Sequence, residues 1–305
     1  MAHLLSPKGY VVILLIVVTA CIPIFIKDLY IIHVIALIGI YTIYSSSWNL
    51  LAYSGQASLG HAAFLGIGAF SATLLAVYFG FPPWLSLLVG GAFASGMGFL
   101  VGLTCVRLRE WFLAMVTFGF AIIAQTVTHV LDEYTHGVIG YPPPPLVSSK
   151  VQYYYAILFL AVATVFLINL IVKTKIGLAL SAIRENELEA KIMGVNTAKY
   201  KLIAFMISTF FAGLAGALLA YFTGHVSEYI YNAENSFMPL MMTLIGGLGT
   251  IEGPIIGSAL ITFVEEFLRF IDPTIRWISI GAFLIVVVIF LPKGISSLLR
   301  KALKW

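Results

Sequence analysis

Runs of roughly twenty apolar residues recur along this chain, at 10–26, 31–52, 84–106, 111–131, 152–172, 200–223 and 275–291. At about 1.5 Å of rise per residue, each is about long enough to cross a hydrocarbon core of about 30 Å as a helix. Residues 57–80 and 254–272 also qualify, although rich in Gly, Ala and Ser, and the shorter 237–249 reads as a half-span or a re-entrant segment. Inside a bilayer the backbone must satisfy its own hydrogen bonds, which such runs do by forming helices. The expectation is an all-α polytopic membrane protein with about ten transmembrane helices in one domain, 1–305. With 61% hydrophobic and 10% charged residues, a soluble globular fold is excluded.

Charge placement gives an orientation. Assigning Lys8, Arg107, Arg109, Lys173, Lys175, Arg184, Lys191, Lys199, Lys201, Lys293, Arg300, Lys301 and Lys304 to one side leaves only Lys27, Lys150, Arg269 and Arg276 opposite, so 13 of the 17 basic residues share a face. The positive-inside rule makes that face cytoplasmic, with both termini on it. The net charge of +4 then reflects topology and implies no nucleic-acid partner. Val18-Thr19-Ala20-Cys21 resembles a lipoprotein cleavage site, but only Lys8 precedes it and further spans follow, so an uncleaved first helix is expected. Cys21 and Cys105 lie in apolar runs near opposite faces and are not expected to pair.

Two Gly-rich stretches interrupt the apolar pattern at similar places in the two halves, one near 54–68 and one near 246–257. Five spans per half would invert one half relative to the other, a 5+5 arrangement in which interrupted helices commonly flank a solute path. Unwound backbone at membrane depth needs burial in protein or a wet cavity. Ser54, Gln56, Ser58 and His61 in the first stretch, with Gly246, Gly247 and Thr250 in the second, are therefore candidates for a translocation path. The alternative is close helix packing through small residues. Neither a metal-ligand cluster around His61 nor a nucleophile–base pair stands out, so no catalytic residue, metal or cofactor is assigned.

The middles of nearly all spans lack the ionisable residues that ion-coupled transport requires, and the chain contains no G-x-x-x-x-G-K-[ST] phosphate loop. A solute path here is either passive or powered by another polypeptide. Residues 173–201 bear on that choice, since nine of the chain's 30 charged residues fall in these 29 positions. Asn186 and Glu189 form a capping-box pattern and Gly194 suits a left-handed helix end, which predicts a short helix over Glu187 to Met193. Leu188, Ile192 and Val195 place an apolar stripe beside its charged face. Such a helix is marginal alone in water, so it either lies on lipid headgroups or docks in a protein groove. The docking reading assigns contact with a cytoplasmic ATPase to Arg184, Glu185, Asn186, Glu187, Glu189 and Gly194.

Four segments carry a family resemblance: Tyr53 to Phe64, reading YSGQASLGHAAF; Arg107-Leu108-Arg109 with the helix after it; Ala182 to Glu187, reading AIRENE, through Met193-Gly194-Val195; and Gly246 to Thr250 with Gly253-Pro254. On these the chain resembles the permease subunits of branched-chain amino acid ABC importers, more closely the LivM type than the LivH type. The resemblance implies pairing with a second homologous permease, two cytoplasmic ATPases, an extracytoplasmic substrate-binding protein and the inner membrane of a prokaryote. Carried over by position, Arg184 to Gly194 matches the loop that engages an ATPase. Two departures stand out: Thr135-His136-Gly137 where a Thr-Gly-Gly turn is usual, and Glu189-Ala190-Lys191 in place of a full Glu-Ala-Ala pattern. Urea or short-amide importers have similar permeases, and a passive channel or a membrane scaffold are the readings from other classes.

Overall fold

The computed structural model describes residues 17–25, 28–106, 108, 110–269, 272–291 and 294–297. Residues 10–16 and 26 of the run 10–26, and Lys8, Lys27, Arg107, Arg109, Lys293, Arg300, Lys301 and Lys304 of the charge argument, lie outside them. A helical stretch at 17–25 (α1) precedes α2 (Leu29–Ala52), α3 (His61–Tyr78), α4 (Pro83–Cys105), α5 (Glu110–Val130), α6 (Asp132–Thr135) and α7 (Lys150–Lys173). The chain continues through α8 (Lys175–Glu185), α9 (Glu187–Ile192), α10 (Thr197–Thr223), α11 (Ala233–Gly246), α12 (Glu252–Phe267) and α13 (Pro273–Phe290). Among the described residues there is no β-strand, only an isolated bridge between Tyr141 and Val226. The protein is all-α.

Local chemistry starts these helices where the apolar runs begin. Asp28 accepts the Tyr30 amide at 2.8 Å, Ser149 accepts the Gln152 amide at 3.3 Å, and Asn196 accepts the Lys199 amide at 3.0 Å. Each pairs an amide that the first helical turn leaves free. Six of the described helices are long and apolar enough to cross a membrane: α2, α3, α4, α5, α7 and α10. Among the others expected to span, α11 and α12 are shorter. The 14 residues of α11 reach about 21 Å and the 16 of α12 about 24 Å.

The core forms around α10, which packs on α2, α3 and α4. Small residues let these backbones approach, since lipid offers no hydrophobic drive to bring helices together. A methyl group added at Gly68 would fall 2.2 Å from the Gly213 carbonyl oxygen, so α3 and α10 are in backbone contact there. Large apolar side chains such as Phe93, Trp111 and Phe159 point outward. Around this core, α12 runs antiparallel to α2: Ser45 bonds the Pro254 carbonyl at 3.3 Å, Thr42 meets Ser258 at 2.7 Å, and the Tyr30 hydroxyl donates to Glu266 at 2.7 Å.

Two stretches without α-helix pack against these helices. One is 53–60, between α2 and α3. The other is 224–232, which descends from the Tyr141–Val226 bridge through a 3-10 turn (Glu228–Tyr231) and stacks Tyr231 on Phe70 before α11 begins. Near that bridge His129 pairs with Glu228 at 2.8 Å and the Glu228 amide donates to the Gly137 carbonyl, which fastens the 131–149 loop to the descending segment.

Candidate translocation path and docking surface

The second half of α2 carries Thr42, Ser45, Ser46, Ser47 and Asn49, all buried. Hydroxyls in an apolar helix usually bond back one turn, as Thr42 does to the Ile38 carbonyl at 2.7 Å and Ser45 to that of Tyr41 at 2.6 Å. Here they also reach other elements. Ser208 of α10 donates to the Ser47 carbonyl at 2.6 Å and Thr243 of α11 to that of Ser45 at 3.3 Å. This polar ladder makes α2 the meeting point of both Gly-rich stretches.

The first stretch folds back along the end of α2. The Gln56 amide bonds the Leu51 carbonyl at 3.1 Å, and the Ser54 hydroxyl lies within donating distance of that carbonyl, at 2.8 Å, and of Gln56 Oε1, at 2.9 Å. Trp48 Nε1 donates to the Ser58 carbonyl at 2.7 Å, and His61 Nε2 lies 3.0 Å from Ser47 Oγ. Ser54, Gln56, Ser58 and His61 are all buried. Ser46 Oγ of α2 and, in this stretch, Ser58 Oγ and His61 Nδ1 find no hydrogen-bond partner among the described residues, so spare polar capacity lies in the interior here.

The second stretch is clamped by Asn49. Its Nδ2 donates to the Thr250 carbonyl at 2.7 Å, and its Oδ1 accepts the Gly249 amide at 2.8 Å. Thr250 Oγ1 accepts the Gly253 amide at 3.0 Å and donates to the Gly247 carbonyl at 2.8 Å, which closes the turn between α11 and α12. Gly246 ends α11 in tight contact with the Gly253 backbone. A cavity of about 10 Å³ beside Ser46, Asn49, Ile251 and Pro254 has room for about one water molecule. Along the end of α2, His61 and Ser58 thus meet Ser47 and Trp48, Ser54 and Gln56 meet Leu51, and Thr250, itself bonded to Gly247, meets Asn49. Sequence reasoning missed Ser45, Ser46, Ser47 and Asn49, although a polar run closing an apolar one was a usable signal.

At the same end of the bundle stands the charged segment. Asn186 Oδ1 accepts the amides of Leu188 and Glu189 at 3.0 and 3.3 Å. Glu189 meets the Asn186 side-chain amide at 2.6 Å rather than its backbone amide, because that amide already bonds the Ala182 carbonyl to end α8. Gly194 at φ +86° and the bond from the Val195 amide to the Ala190 carbonyl close α9 one residue earlier than expected, at Ile192.

The acids of this segment divide by direction. Glu187 turns inward, to Lys201 of α10 at 2.5 Å, Lys191 at 3.0 Å and the Thr197 hydroxyl at 3.1 Å. Lys201 is only 7% exposed, so this pair fastens α9 to α10. Partial burial pushes the Glu187 carboxyl up, but the bonds from Lys201, Lys191 and Thr197 outweigh it and hold the group below its ordinary value. Arg184, Glu185, Asn186 and Glu189 face solvent. So do Leu188, Ile192 and Met193, at 70%, 82% and 84% exposure. Val195, expected on the same stripe, is half-buried. A groove of about 390 Å³ lies alongside, lined by Leu178, Ala182, Met193 and Tyr200 among others.

Residues 30–291 match the family model described as the permease component of branched-chain amino acid transport systems. The high-affinity branched-chain amino acid permease LivM of Escherichia coli is 30% identical over 296 aligned positions, covering 87% of this chain and 69% of that protein. A probable LivH permease of Methanocaldococcus jannaschii is 26% identical over 67% of this chain and 69% of its own. The guanosine transporter permease NupQ of Bacillus subtilis is 27% identical over 55% of this chain and 59% of its own. No solved structure matches the chain. With six apolar helices of spanning length, it is a multi-pass inner-membrane transport component. The chain belongs to the permease component family of branched-chain amino acid transport systems and is of the LivM type.

Proposed function

We propose that this chain forms the translocation path of an ATP-driven importer of branched-chain, small apolar amino acids, together with a second homologous permease. Of two cytoplasmic ATPases in the complex, one docks on α8 and α9 of this chain, and an extracytoplasmic binding protein delivers the substrate. The whole chain, 1–305, acts as one permease domain with about ten spans and both termini in the cytoplasm, its halves related as a 5+5 inverted repeat. The observation that carries the docking reading is the exposed cluster Leu188, Ile192 and Met193 on a helix held rigidly by Asn186 and Lys201. Exposed apolar side chains on an ordered polar helix suit a protein groove, because solvent alone gives them no partner. Closure of the ATPases would move α8 and α9 and so shift the clamped turn beside α2, where Ser54, Gln56, Ser58, His61, Gly246, Gly247 and Thr250 gather.

Co-purification tests the docking role. Leu188→Asp with Ile192→Asp should lower the yield of bound ATPase by about tenfold or more while leaving the permease monodisperse; unchanged ATPase yield refutes it. The NupQ likeness favours a second reading, nucleoside uptake, and the two separate on labelled leucine against labelled guanosine. Urea or short amides are the further substrates within this class. A passive channel would instead conduct through the purified chain without nucleotide.

A further inference from the structure

The docking surface meets the glycine turn at the side chain of Arg184. Gly249 has φ +68°, and the space a Cβ would occupy there is filled by the Arg184 guanidinium, with Nη1 only 2.3 Å from that position. Arg184 belongs to the last turn of α8, two residues before the Asn186 cap of α9. Gly249 belongs to the turn that Asn49 holds to the end of α2. From there Ser47 and Trp48 lead to His61 and Ser58.

We propose that Arg184 is the positioning residue that passes movement of α8 and α9 to the turn 247–251, and through Asn49 to α2 and the first Gly-rich stretch. This rests on the reading of α8 and α9 as the ATPase docking surface. The contact suits the task for two reasons. A guanidinium is planar and always charged, so it lays a flat face against the Gly249 backbone. Gly249 in turn presents bare backbone, already in a conformation that disfavours any side chain, so the plane bears directly on the main chain that Asn49 grips. A side chain at 249 would displace the guanidinium. Arg184 therefore acts through the turn and touches no substrate.

The test uses the complete complex in proteoliposomes, with labelled leucine as probe, and follows bound ATPase, ATP hydrolysis and uptake together. In Arg184→Ala, uptake should fall about tenfold when expressed per bound ATPase and per ATP hydrolysed, beyond any change in ATPase binding itself. Arg184→Lys, which keeps the charge without the plane, should recover only part of that loss. Gly249→Ala adds backbone strain and displaces Arg184; the strain persists in the double variant, so a double-mutant cycle isolates the contact. Non-additive losses of uptake per ATP support the proposal. Additive losses, unchanged uptake in Arg184→Ala, full recovery by Lys, or loss of uptake in step with loss of bound ATPase each overturn it. The Leu188→Asp/Ile192→Asp variant separates the two claims: if it keeps its ATPases the docking reading itself fails and the Arg184 proposal with it, whereas its loss of ATPase beside an unaffected Arg184→Ala removes the Arg184 proposal alone.

Discussion

The pair between Glu187 and Lys201 allows an asymmetric prediction. Lys201 is 7% exposed while the Glu187 side chain is 35% exposed, so the lysine depends on the pair more than the glutamate does. Lys201→Met removes the buried ammonium, replaces it with an apolar chain of similar length, and leaves Glu187 with Lys191 and Thr197. Exposed ion pairs contribute about 0.2–1 kcal/mol, so the loss should be about 1 kcal/mol. Glu187→Gln instead leaves a buried ammonium without its countercharge. Breaking a fully buried pair that way costs about 3–5 kcal/mol; with one partner a third exposed, about 2–3 kcal/mol is expected here. Both losses fall on the seating of α9, which with six residues has little helical stability of its own. At about 1.4 kcal/mol per factor of ten, α9 should open about fivefold more often in Lys201→Met and about 30- to 140-fold more often in Glu187→Gln. Hydrogen exchange of amides 188–195 in nanodiscs reads this directly. Combining the two changes should restore protection close to that of Lys201→Met alone. Equal effects, the reverse order, or simple additivity would refute the assignment of the pair as an internal fastening.

Other outcomes follow from the same geometry. Asn49→Ala leaves the Gly249 amide and the Thr250 carbonyl unpaired in a half-buried turn, and should lower stability by about 2–4 kcal/mol, measured as a fall in thermal midpoint of the detergent-purified chain. Gly68→Leu forces α3 and α10 apart where a single methyl already meets the Gly213 backbone; a loss of about 3 kcal/mol or more and aggregation on size-exclusion chromatography are expected. The carboxyl of Glu187 is depressed in the folded state, so its stabilising contribution is complete above the unfolded value near 4.5 and disappears as pH falls through the lowered folded value. A spin label on Ile192→Cys should therefore keep constant mobility between about pH 5 and 8 and loosen only in stronger acid.

What was legible in the sequence follows the range of the forces involved. The six long helices rest on apolar length, and the cap at Asn186 and the left-handed Gly194 on neighbours within a few residues, so all three could be read locally. The inward turn of Glu187 depends on Lys201 14 positions away, and the grip of Asn49 on Gly249 spans 200 positions; no local pattern encodes either. Residues 225–232 carry Tyr229, Ile230 and Tyr231 rather than glycines, so nothing in their composition marked a segment that descends between helices. Glu187 and Glu189 looked alike as docking charges in the sequence. Packing separates them, leaving Leu188, Ile192 and Met193 as the outward face.

The central claim is ATP-driven amino acid uptake through this chain, and reconstituted transport tests it most directly. The complex with its second permease, ATPases and binding protein, placed in liposomes, should accumulate labelled leucine only when ATP is supplied on the ATPase side. Leucine flux through this chain alone without nucleotide, or ATP-dependent uptake of guanosine with none of leucine, would contradict it.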